Sequence, residues 1–122
     1  GLAMVCCLLV AACSGQALVS DRQVARDRVD AYLAANPATD RNTATAMRRF
    51  ELRTGMTKQE VVAVWGRPVE MQKWRSGTVD QWFFACAWPN RCEAPDRDAF
   101  LMGPIRPEAF FRNDRLYQWS SP

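Results

Sequence analysis

The chain has 122 residues, with 16 Lys and Arg against 13 Asp and Glu for a net charge of +3, 48% apolar residues, five Cys and no His. That is one domain's worth of chain, with apolar content for a modest core. Without His there is no His-based catalytic triad, no His-ligated zinc or haem and no imidazole switch, and so small a positive charge does not argue for nucleic acid.

Residues 1–20 carry no charged side chain, and the run from Leu2 to Ala12 is unbroken apolar. A membrane-spanning helix needs about 20 apolar residues. The run is shorter than that and has the length of the apolar region of a secretory signal, about 7–15 residues. Residues 1–12 are therefore expected to be a signal peptide cut short at its start. Val10-Ala11-Ala12-Cys13-Ser14-Gly15 follows and resembles a bacterial lipobox. Small residues let the cleavage site lie extended in a peptidase groove, and the Cys13 thiol is the nucleophile that takes the lipid. Several acyl chains, each CH₂ worth about 0.8 kcal/mol when buried, would then anchor the protein. On this reading residues 13–20 are a lipid-bearing Cys and tether, and residues 21–122 form a single domain. By the same resemblance Ser14, rather than an Asp after the Cys, favours an outer-membrane lipoprotein facing the periplasm. An ordinary buried or free Cys13 in a hydrophobic segment is the competing reading.

Ser20-Asp21-Arg22-Gln23 has the form of a capping box and opens a first helix. Val24, Val29, Tyr32 and Leu33 are expected on its apolar side and Asp27, Arg28 and Asp30 on its wet side, with Asn36-Pro37 as the stop. A second helix is expected over Asp40 to Phe50, with Ala44, Met47 and Phe50 at helical spacing. Gly55-Met56-Thr57-Lys58-Gln59-Glu60-Val61-Val62-Ala63-Val64-Trp65-Gly66-Arg67-Pro68 carries the strongest local signal. Thr57 and Glu60 form a capping box, Met56 and Val61 occupy hydrophobic-staple positions, and Gly66 then Pro68 end the helix. Val61, Val64 and Trp65 make a narrow core stripe, and so short a helix must rest on a sheet.

Beyond Pro68 the period becomes two. Val69, Met71 and Lys73, a Ser76-Gly77 turn and Val79 to Ala85 read as strands. Ala109 to Arg112, the turn Asn113-Asp114 and Arg115 to Trp119 read as a terminal hairpin. Helices followed by three to four antiparallel strands predict a two-layer α+β fold. Cys6 and Cys7 leave with the signal and Cys13 takes lipid, so Cys86 and Cys92 remain and are expected to form a disulfide across the Pro89-Asn90 turn. Free thiols or redox chemistry are the alternatives. No metal site is expected, since two further soft ligands are lacking.

Four features resemble the SmpA/OmlA (BamE-like) family of outer-membrane lipoproteins. Gly55-Met56-Thr57, Val61 and Gly66-x-Pro68 resemble its Gly-Met-Thr…Val…Gly-x-Pro signature. Gln81-Trp82-Phe83-Phe84 resembles its central aromatic strand, and Phe111 to Leu116 its last hairpin. The lipobox is the fourth. The match runs from about Arg53 to Trp119. The resemblance implies a module without catalytic residues or cofactors that supports outer-membrane β-barrel assembly or envelope integrity. Its implied partners are assembly-machinery proteins and anionic lipid.

Candidate contacts are Trp74, Trp88 and Trp119, each of which could equally be core. Arg48, Arg49 and Arg53 are the nearest approach to a basic patch, open to a phosphate-pairing or a merely solvated reading. An enzyme would have to work with Glu70, Asp80, Asp96 or Asp98, and no nucleophile and base are paired among them. A periplasmic inhibitor or envelope sensor with an unrelated protein partner is the alternative function.

Overall fold

The computed structural model describes residues 21–85 and 106–120. The expected lipidation at Cys13, the Cys86–Cys92 disulfide, the Trp88 contact, Ser20, Asp96 and Asp98 lie outside the described residues. Among those residues, three helices precede four strands: α1 (Asp21–Ala35), α2 (Arg41–Arg48), α3 (Lys58–Trp65), β1 (Glu70–Trp74), β2 (Val79–Phe83), β3 (Glu108–Arg112) and β4 (Arg115–Ser120). The strands form one antiparallel meander in the order β1-β2-β3-β4, and the helices pack on it to give the two-layer α+β architecture. The core lies between the layers. Val29, Met47, Met56, Val61, Val64, Phe84, Phe111 and Leu116 are its largest fully buried side chains. Trp65 meets Phe84 edge-on at 5.2 Å between ring centres, and Trp82 meets Phe111 at 4.8 Å.

Helix α1 buries Ala25 and Val29, with Tyr32 and Leu33 partly buried behind them, a stripe at helical spacing. Val24 was expected on that side but is 49% exposed. It precedes Ala25 by one residue, a turn of about 100° that carries it off the stripe. The helix ends at Ala35, before Pro37, as expected.

Helix α2 is capped by Asp40, whose Oδ2 accepts from the amides of Asn42 and Thr43, both at 3.1 Å. It stops at Arg48, two positions short of the Phe50 expected from side-chain spacing. The cause is a Schellman closure: the amide of Glu51 donates to the carbonyl of Ala46 at 2.9 Å and that of Phe50 to Met47 at 3.0 Å. Phe50 takes the left-handed position, φ +58°, where glycine is usual, and its ring is buried.

At α3 both halves of the capping box are present. The amide of Glu60 donates to Thr57 Oγ1 at 3.1 Å, and that of Thr57 to Glu60 Oε1 at 2.8 Å. Met56 and Val61 are buried in the core as the staple requires. Gly66 follows at φ +87°, donating its amide to Val62.

The β3–β4 turn has φ +52° at Asn113 and +61° at Asp114, the pair of positive values a type I′ hairpin demands. One edge of the sheet is partly closed. Gly55 donates to the Leu116 carbonyl at 2.7 Å, the Leu116 amide returns to Met56 at 2.8 Å, and Thr57 pairs with Arg115. The other edge, β1, contributes no residue to the buried core, and Met71 within it and Val69 just before it are exposed.

Candidate functional site

The motif residues Gly55, Met56, Thr57, Glu60, Val61, Gly66 and Pro68 gather around the ends of α3, and the sequence places chemistry at both ends. At the start stands an ion-pair network. Lys58, the first helical residue, donates from Nζ to Asp80 Oδ2 at 2.6 Å on β2 and to Asp114 Oδ1 at 2.8 Å in the last hairpin. Lys73 reaches the other oxygen of Asp80 at 2.8 Å. Lys58 also lies 5.7 Å from the Trp82 ring centre and 5.8 Å from that of Phe111.

Asp80 is one of the carboxylates an enzyme would have had to use. Its side chain is only 14% exposed, because the alternation of β2 turns it to the same face as Trp82, beneath α3. Hydrogen bonds from Lys58 and then Lys73 hold its carboxyl below the usual carboxylate range. Burial would lower Lys58, but hydrogen bonds to Asp114 and Asp80 outweigh it and raise the ammonium above its ordinary value. A carboxylate held between two ammonium groups is a poor general base, since its charge is already spent. Through Asp80 and Asp114 together, Lys58 clamps α3 to two hairpins.

At the far end of α3, Arg28 reaches across from α1. Its Nε donates to the Ala63 carbonyl at 2.8 Å and its Nη2 to that of Val64 at 3.3 Å. The guanidinium lies about where a side chain on Gly66 would project, 3.7 Å from an ideal Cβ. Arg28 was expected on the wet side of α1. It is half-buried instead, and burial lowers its pKa from the ordinary value. A cation on the last carbonyls of a helix satisfies orphan acceptors and complements the negative end of the dipole.

A third place is an open cleft of about 500 Å³ where the α1–α2 turn faces the start of α3, with Tyr32, Asp40, Thr57, Glu60 and Arg115 among its lining residues.

The expected contact residues are dispersed. Arg48 and Arg49 are exposed at the end of α2, whereas Arg53 is tied to Asp40 at 3.4 Å and to Thr43 at 3.3 Å, so the three do not form one free patch. Bonds to the Thr43 amide, together with the Asn42 amide and Arg53, hold the Asp40 carboxyl below its ordinary range. Trp74 is 52% exposed at the end of β1, its indole N–H donating to Gln81. Trp119 is partly buried and packs against the core. Glu70 forms an ion pair with Arg106 at 3.1 Å.

Arg28, Lys58 and Asp114 were not singled out by sequence reading as functional or clamping residues. Lys58 had one usable signal, its place directly after a capping Thr that fixes its direction. Among the described residues no cluster of three or more His, Cys, Asp or Glu side chains is arranged to hold a metal ion, and no helix is long and apolar enough to cross a membrane. Comparison with family models, with curated proteins and with solved structures gave no match to this chain.

Proposed function

We propose that this chain is a lipid-anchored, non-catalytic binding module of the bacterial envelope, a BamE-like relative that supports outer-membrane β-barrel assembly or envelope integrity through protein contacts. The observation that carries the reading is the Gly-Met-Thr…Gly-x-Pro segment, folded as a doubly capped helix on an aromatic meander, in a chain whose residues 10–15 resemble a lipobox. The ionisable side chains nearest the motif are engaged in clamping and capping, and that use of them fits a scaffold better than a reaction centre. Trp74, exposed at the end of β1, which is the edge strand among the described residues, and the exposed pair Arg48 and Arg49 are the surfaces offered to partners and to anionic lipid.

The test is metabolic labelling with a fatty acid, membrane flotation and intact mass for wild type beside Cys13→Ala, followed by crosslinking from position 74. Lipid on wild type alone, flotation with the outer membrane and crosslinks to barrel-assembly proteins are expected. Two soluble, unlipidated forms would overturn the anchored reading and favour a secreted domain with an unrelated target.

A further inference from the structure

The cleft between the α1–α2 turn and the first turn of α3 contains opposite charges that do not pair with each other. Glu60 is only 8% exposed. One of its carboxylate oxygens takes the Thr57 amide, and no described residue donates to the other. Arg115 sits across Thr57 from it, paired to Thr57 through the backbone. One terminal nitrogen of Arg115 donates to the Gly55 carbonyl at 3.2 Å, and its remaining N–H groups have no described acceptor. Glu60 and Arg115 are both lining residues of the same space, as is Tyr32.

Charge bookkeeping restricts what this space accepts. Two helix N-termini face it, each worth about half a positive charge, and Arg115 adds a full one. Glu60 and Asp40 oppose them, with Asp40 partly neutralised by Arg53. The sum is too near zero, and too mixed, to select a simple cation or a simple anion. What remains is a pattern: a buried acceptor at Glu60, an exposed forked donor at Arg115, and Thr57 tied to both.

We propose that this cleft binds a compact zwitterion, its ammonium on the free oxygen of Glu60 beside Tyr32 and its anionic oxygens on the free fork of Arg115. An α-amino acid and a phosphoethanolamine head group both present that chemistry. An ammonium there gives the buried carboxylate oxygen the donor it lacks, and guanidinium is suited to carboxylate and phosphate alike. This site is independent of the anchoring reading, and its test does not involve Cys13.

The test is amide NMR titration of the full chain with the common amino acids one at a time and with glycerophosphoethanolamine. Ethanolamine and N-acetylalanine serve as the separated halves. Saturable shifts at Thr57, Glu60 and Arg115 are expected with a zwitterion, with each half binding at least about tenfold more weakly. Shifts with amino acids alone assign a solute, and shifts with glycerophosphoethanolamine alone assign a lipid head group. Glu60→Gln keeps an oxygen for the Thr57 amide, so it preserves the cap while removing the charge. It and Arg115→Gln should each weaken binding about tenfold or more with the fold intact. No shift with any zwitterion at millimolar concentration, equal binding of either half, or full binding by Glu60→Gln overturns the proposal.

Discussion

Replacing Arg28 by Ala isolates a contact that joins the first helix to the end of the third. The guanidinium makes two hydrogen bonds to helix-terminal carbonyls, at 2.8 and 3.3 Å. A charged hydrogen bond contributes about 1.5–3 kcal/mol, and the longer of these belongs at or below the bottom of that range. A cation at a helix C-terminus adds about 0.3–1 kcal/mol. Against this, half-burial of the guanidinium costs desolvation, consistent with its lowered pKa, and after truncation water reaches the freed carbonyls. The net expectation is a loss of about 2 kcal/mol. Arg28→Lys keeps the charge without the fork and should lose about half as much. Urea unfolding followed by tryptophan fluorescence measures both, with an unchanged m-value as the sign that the comparison is sound. A loss under about 0.5 kcal/mol for Ala would place this Arg among ordinary surface side chains and refute the argument. So would a Lys variant as damaged as Ala, because the fork and the charge would then be inseparable.

Gly66→Ala should destabilise by about 1–2 kcal/mol, because a Cβ at φ +87° is strained and projects toward the Arg28 guanidinium; thermal unfolding checks it, and an unchanged Tm would count against the strained cap. Phe84→Ala removes a ring only 1% exposed and packed on Trp65, so a loss of about 3–5 kcal/mol is expected by denaturation. Asp80 has a depressed pKa, so its stabilisation is present above the unfolded carboxylate value, about 3.9, and is lost as pH falls through the lower folded value. Asp80→Asn should therefore be less stable at neutral pH and should show a shallower acid decline, read as urea midpoints at pH 7 and pH 3. A parallel decline in the two proteins would contradict the clamp.

Local devices were legible in the sequence because each is written within a few residues. Thr57 and Glu60 fix the start of α3, Gly66 and Pro68 its end, and Asn113-Asp114 the last turn. The α+β order followed from the change of period after Pro68. Long-range uses of the same side chains were not legible. Arg28 follows the sequence logic of a solvent-facing residue on α1, and its acceptors lie 35 and 36 positions away. Asp80 carried a weak hint, since its alternation with Trp82 put it on the core face, but its two lysines come from separate elements. Phe50 kept its expected burial while losing its helix, because a left-handed cap delivers a ring to the core as well as another helical turn would. Ala25, four positions before Val29, marked the true stripe of α1 where Val24 did not.

The pairing of Gly55 and Met56 with Leu116 ties the helical half of the chain to its last strand across some 60 residues. Neither half can open there without breaking the other's backbone bonds. In hydrogen-exchange terms, the amide of Leu116, only 1% exposed and bonded to Met56, should be among the slowest of the described residues to exchange. Trimming the final strand would then release the segment leading into α3 together with the edge it covers. A truncation of the last strand should therefore also loosen the segment from Gly55 to Thr57.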